Sequence, residues 1–264
     1  MRRSCRVVRV FTRDGVGGNH LGVIDDLSGL GDESMQEIAA DLGFSETIFA
    51  DWSDHQRPAR VRIFTPAAEL AFAGHPLVGA AWVRHHFVAA GPGELECGAG
   101  VVRYRVEGDS VWVEASVPVV VDDVLPDPGS VAALGFARPL RCWTVRLPIP
   151  YLLAEMAADA DVASARPDPD LLADTQLYLF HRTPRYVHAR FFAPSLGVVE
   201  DPATGSAAVA LAHALSAAGE GQGDLVVRQG EEMGSPSSIL LRWHPGVVEI
   251  GGAVADEGSR LVDR

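Results

Sequence analysis

The residues best equipped for chemistry cluster at two turns. Gly74, His75 and Pro76 precede the apolar run LVGAAWV, and Asp201-Pro202 with Thr204, Gly205 and Ser206 precede AAVALAHAL. A first helical turn tolerates proline, because the amide it lacks has no intrahelical acceptor there. Both turns therefore read as helix starts, with Asp201 a good N-cap residue. Free N–H groups at such a start bind anions such as carboxylates. Glycine at 74 and 205 lets a ligand approach the backbone closely. Capping alone accounts for either turn taken singly; matched places in a repeat favour a site. Glu46 is the third candidate. It lies in GFSETIFADW, a strand that reads as buried, where a carboxylate between Phe44 and Ile48 is costly without partners. Burial raises a carboxyl pKa toward the range useful for general acid–base work. The alternation of this strand also fits a Glu that faces solvent.

Rival signatures are incomplete. TGSAA around Ser206 lacks the GxSxG of a nucleophile elbow. Gly15-Val16-Gly17-Gly18 does not complete GxGxxG, and no helix follows it. The histidines form no HExxH or HxH pair, so no metal site is expected. Cys5, Cys97 and Cys142 include no CxxC and are too scattered for a disulfide framework. Tyr104, Trp112 and Trp143 read as core or sheet-surface residues.

The elements that must position these groups are mostly strands. CRVVRVFT, LGVIDD, FSETIFADW and ARVRIFTP read as strands, and Met35, Ile38, Ala39 and Leu42 have helical spacing ending at Gly43, a C′ residue. Short strands with turn signals fill 91–121. CWTVRLPIPYLLAEM, DTQLYLFHRT, YVHARFFAP, LVVRQG, SSILLRW and GVVEIGGAV continue the pattern. Residues 157–170, small, acidic and proline-bearing, read as a surface excursion. Arg62-Ile63-Phe64-Thr65-Pro66 is matched by Arg190-Phe191-Phe192-Ala193-Pro194, an offset of 190 − 62 = 128 residues. Each copy is followed by a turn and a helix that is apolar on most of its circumference, hence buried on all sides. The expected fold is α+β: two pseudo-symmetric lobes, each a β-barrel-like curved sheet around a central apolar helix, with a cleft between the helix starts. The expected lobes are 1–117 plus 251–264, and 118–250.

The 264 residues can build real cores, and 47% are hydrophobic against 22% charged, an ordinary globular balance. The charge of 22 − 35 = −13 opposes binding to nucleic acid or anionic membrane. With no long apolar run, the chain reads as soluble and cytoplasmic.

Several blocks resemble the phenazine-biosynthesis PhzF-like protein family: FT…GGN at 11–19 with LGVIDD, MQEIAADLGFSETIF at 35–49, FTPAAELAFAGHPLVGAA at 64–81, RFFAPSLGVVEDPATGSAAVAL at 190–211, and QGEEMGSPS at 229–237. The resemblance implies a diaminopimelate epimerase-like fold, a homodimer, and catalysis without cofactor or metal. It implies that Glu46 is the acid–base residue, with His75 and Asp201 beside it in catalysis. Asn19, Ser45, Gly74, Gly205 and Ser206 are the expected substrate-binding residues. Related epimerases carry a cysteine at each helix start, whereas AFAGHP and EDPATGS have none, which opposes a two-thiol racemase. His20 stands where the family usually has proline, and Ser235 where arginine is common.

The expected function is a cofactor-independent isomerase that moves a proton between carbons of a small carboxylated, unsaturated or cyclic metabolite, as in phenazine-type biosynthesis. The alternatives are an epimerase or dehydratase of an amino or imino acid, and a non-catalytic carboxylate-binding protein of the same fold.

Overall fold

A computed structural model describes residues 2–54, 57–115, 118–122, 126–147, 149–172 and 175–263. The apolar-basic alternation at the N-terminus forms the strand Arg2–Thr12. It pairs with Asn19–Ile24, and the chain of neighbours continues through Glu46–Asp51, Ala59–Phe64, Gly93–Cys97, Gly100–Glu107, Ser110–Glu114 and Val247–Asp263. Val247–Asp263 returns to Arg2–Thr12, so the ring closes. The apolar helix Gly74–Val83 runs through it, buried at every residue but Trp82. This follows from its sequence, because a helix without a polar face can satisfy itself only inside a barrel.

The second half repeats the plan. Strands Val120–Val121, Arg141–Arg146, Pro150–Glu155, Gln176–Arg182, Val187–Ala193, Gly223–Gln229 and Ser237–His244 are joined in that order and meet Val247–Asp263 again. They wrap the helix Gly205–Ala217, buried on all faces over its first turns. The repeated RxFxP segment does the same structural job twice. Arg62 stacks over Phe64 at 5.1 Å and pairs with Glu69; Arg190 stacks over Phe192 at 4.9 Å and pairs with Glu200. The repeat marks a duplicated scaffold, and the conspicuous arginines belong to it.

Two readings of the sequence change. Residues 157–170 are no simple excursion. They include the helix Asp159–Ser164 and the start of Pro169–Leu172, and Val162, Ala165 and Leu172 are buried in a separate core cluster with Met156, Leu179 and Phe192. The acidic, proline-bearing composition hid two apolar anchors, Val162 and Ala165, with Leu172 just beyond. The last strand also runs on to Asp263. Its polar tail pairs with the first strand, where Arg2, Arg6 and Arg9 meet Asp263, Asp256 and Glu257. Charge complementarity replaces hydrophobic alternation there, so the apolar pattern stopped too early.

We propose lobe limits of 1–117 plus 251–264, and 118–250. In support, Val247–Asp263 pairs with the second sheet up to Gly251 and with the first strand from Ala253 onward. Residues 1, 117 and 264 lie outside the described residues.

Candidate active site

The site forms where the two central helices start. Gly74 and Gly205 stand against each other. A Cβ on Gly74 would meet Gly205 Cα at 2.8 Å and Ile250 Cδ1 at 2.6 Å; one on Gly205 would meet Gly74 Cα at 3.0 Å. Glycine is thus demanded by the close approach of two backbones, and the ligand contact expected for it is not what fixes the residue type. The first intrahelical bonds run from Leu77 N–H to Ala73 O and from Ala208 N–H to Thr204 O. The amides of 74–75 and 205–207 therefore precede the helical ladder, as orphan donors do.

Asp201 does not cap the second helix. Thr204 holds that position, and Asp201 ends the strand Val198–Asp201, paired with Phe191. Pro202 accordingly lies before the helix and not in its first turn, whereas Pro76 is within the first turn of its own helix. The Asp201 carboxylate accepts three side-chain hydrogen bonds. Its Oδ1 accepts from Asn19 Nδ2 at 2.8 Å and Ser45 Oγ at 2.9 Å, and its Oδ2 from Thr204 Oγ1 at 2.5 Å. Gln229 supports this from behind: its Nε2 donates to the Asp201 carbonyl at 2.6 Å and to Thr204 Oγ1 at 2.9 Å. Burial raises the Asp201 pKa, and the donors Thr204, Ser45 and Asn19 oppose that shift.

Glu46 faces inward. The helix Asp32–Leu42 ends at Gly43, whose φ of 66° and N–H bond to Ala39 O turn the chain so that Ser45 and Glu46 enter the next strand at the cleft. Glu46 Oε2 is buried and accepts no hydrogen bond; it lies 3.5 Å from His75 Nδ1. Desolvation, and then the negative charge of Asp201, hold the Glu46 carboxyl well above the ordinary carboxylate range. Burial pushes His75 the other way, to about 3, so the imidazole is neutral at physiological pH. Asn19 Nδ2 also approaches His75 Nδ1 at 3.4 Å. An amide N–H at this position pairs with the tautomer in which Nδ1 accepts.

A cavity of about 40 Å³ opens beside these groups, lined by Ser45, Glu46, Tyr151, Asp201, Thr204 and Ser206 on its polar side and by apolar residues including Phe72 and Phe191 on the other. His75, Gly74, Gly205 and Asn19 sit behind this lining. The structure thus brings all eight expected residues together but layers them. Tyr151 was missed from the sequence. Its hydroxyl donates to Ser206 Oγ at 2.9 Å, and burial raises its pKa, so it stays protonated. Nothing in IPYLLAE separates this tyrosine from a core aromatic. Gln229, fully buried, was visible only as a polar residue closing an apolar strand.

Cys5, Cys97 and Cys142 are buried away from this lining, with thiols pushed up by desolvation. Among the described residues, no group of three or more His, Cys, Asp and Glu is arranged to hold a metal ion, and no helix is long and apolar enough to cross a membrane. His20 stacks on Phe44 at 5.5 Å and meets Glu257 at 3.1 Å, and the Ser235 hydroxyl donates to the Gly18 carbonyl at 2.8 Å.

Comparison with known proteins adds a consistent set of relatives. The family of phenazine biosynthesis-like proteins matches residues 8–256. An uncharacterized isomerase of Pasteurella multocida is 31% identical over 263 residues, covering 96% of this chain and 91% of its own. The trans-2,3-dihydro-3-hydroxyanthranilate isomerase of Pseudomonas aeruginosa is 32% identical over 249 residues, covering 89% and 88%. Among solved structures, a predicted epimerase from Pseudomonas aeruginosa aligns with a TM-score of 0.83 at 29% identity over 99% of both chains. A hydroxyproline epimerase from Agrobacterium vitis shares the fold, with a TM-score of 0.71 at 13% identity over 99% of this chain and 92% of that one.

Proposed function

Because the chain belongs to the family of phenazine biosynthesis-like proteins and is an isomerase, we propose that it moves a proton between carbon atoms of a small unsaturated carboxylate, with Glu46 as the carrier. The observation that carries this reading is the buried carboxyl of Glu46, which lines the cavity and whose Oε2 has no hydrogen-bond partner. A carboxyl with a raised pKa holds a proton near neutral pH yet can release it, which suits both halves of a transfer. Glu46 as carboxylate takes a proton from an activated carbon; the electron pair left behind spreads through the substrate's conjugated system; Glu46 returns the proton to a second carbon. The reaction is neutral overall, and Glu46 is regenerated.

The other groups hold the geometry. His75 Nδ1, 3.5 Å from Glu46 Oε2, packs against the carboxyl and helps to position it. Asp201, fixed by Asn19, Ser45 and Thr204, supplies the negative charge that keeps the Glu46 proton in place, and faces a polar substituent of the substrate. Orphan amides at the helix starts and the Ser206 hydroxyl, held by Tyr151, receive the substrate carboxylate. The cavity of about 40 Å³ is smaller than an ordinary ligand site. The lobes part to admit substrate, and their closure excludes water from the transfer. We also propose a homodimer, on the resemblance alone.

The relative in Pseudomonas aeruginosa names a first substrate to try, trans-2,3-dihydro-3-hydroxyanthranilate. Incubation with the purified protein, followed by NMR, tests the reading. Rearrangement of the ring double bonds supports it; an unchanged spectrum with this compound and with related dihydroaromatic and amino carboxylates overturns it.

A further inference from the structure

A second hollow of about 360 Å³ opens outward from the site, lined by Phe44, Pro66, Val198, Val199 and Met233 with Ser45, Glu200 and two glycines. It shares Ser45 and Val198 with the inner cavity, so the two adjoin. Its walls are mixed, and their apolar side chains include Val199 and Met233, which are 65% and 42% exposed. Exposed apolar residues at a site mouth are costly to solvate and gain when a ligand covers them. The one ionisable lining residue, Glu200, is neutralised by a two-bond pair with Arg190 at 2.8 and 2.9 Å. No lining residue is a cation. Of the nearby basic groups, Arg13 pairs with Glu231 and His20 meets Glu257, while Arg260 lies 4.7 Å over the Phe44 ring without itself lining the hollow. The Ser235 hydroxyl donates to the Gly18 carbonyl.

Resting on the proposed function above, we infer that the substrate is a monocarboxylate with an uncharged apolar arm: the carboxylated, reacting end lies in the inner cavity and the arm covers Val199 and Met233 in the outer one. An arm ending in a second carboxylate is rejected, because it meets apolar side chains and the Glu200 edge, and no lining residue is a cation.

Calorimetric titration with benzoate, biphenyl-4-carboxylate and biphenyl-4,4′-dicarboxylate tests this. The biphenyl monocarboxylate is expected to bind about tenfold more tightly than benzoate, and the dicarboxylate no better than benzoate. Val199→Asp and Met233→Asp, both on exposed positions outside the catalytic groups, are expected to abolish the gain from the second ring and leave benzoate affinity unchanged. Benzoate binding without any gain from the second ring overturns the arm while sparing the function proposed above. Equal gain for the dicarboxylate overturns the rejection of charge. Failure of all three to bind removes the carboxylate site itself, and both proposals with it.

Discussion

Glu46 Oε2 lies 3.5 Å from His75 Nδ1 and accepts no hydrogen bond, while Asp201 in the same site accepts three. Burial raises the pKa of both acids, but hydrogen-bond donors oppose the shift only at Asp201. Donors favour the ionised form of Asp201, and burial beside that charge favours the protonated form of Glu46. A neutral His75 completes the set.

Asp201→Asn separates these effects. It removes the charge that raises the Glu46 pKa, so the rise of kcat/KM with pH moves to lower pH while the maximum falls. The new amide also turns a donor toward Asn19 or Ser45, at a cost of about 1–3 kcal/mol in stability. The pH–rate profile and a denaturant titration read both. A profile shifted to higher pH contradicts the assignment.

The same shifts predict how stability depends on pH. The folded pKa of Glu46 lies above its unfolded value of 4.5, so the native state binds the extra proton and stability falls as pH rises from 4.5 through the folded pKa. His75 is depressed from 6.5 to about 3, so its contribution is present above 6.5 and lost as pH falls toward 3. Relative to wild type, Glu46→Gln should therefore gain stability on the alkaline side, and His75→Asn should lose less on the acid side. Urea midpoints across pH 3 to 8 check each sign separately.

Gly74→Ala and Gly205→Ala test the contact of the helix starts. The added methyl meets backbone atoms that cannot rotate away. Each change is expected to cost about 2 kcal/mol or more and lower Tm by several degrees. An unchanged Tm shows that the starts can separate freely.

Tyr151→Phe removes the donor to Ser206 Oγ. Turnover at low substrate should fall roughly fivefold with the fold intact, the effect of one net hydrogen bond. Steady-state kinetics place the loss in KM if Ser206 only binds the carboxylate, the role assigned to it here.

Much of this arrangement was legible in the sequence for identifiable reasons. Two helices without a polar face had to be buried on all sides, and His75, Asp201 and Ser206 were marked by standing at or just before their starts. Glu46 was marked by its apolar neighbours, although pattern alone left its direction open. Tyr151 and Gln229 were not legible, because both reach the site from strands whose registry is set by tertiary pairing. The buried 157–170 anchors and the salt-bridged tail from Ala255 to Asp263 were masked by polar composition.

The most direct test of the central claim follows deuterium from D2O into trans-2,3-dihydro-3-hydroxyanthranilate and related unsaturated carboxylates, with mass spectrometry and NMR on the same samples, for wild type and Glu46→Gln. The account predicts a carbon-bound deuterium or a relocated double bond with wild type, and at least a hundredfold less of either with the variant. Equal labelling and rearrangement by both proteins contradicts it, since Glu46 would then carry no proton.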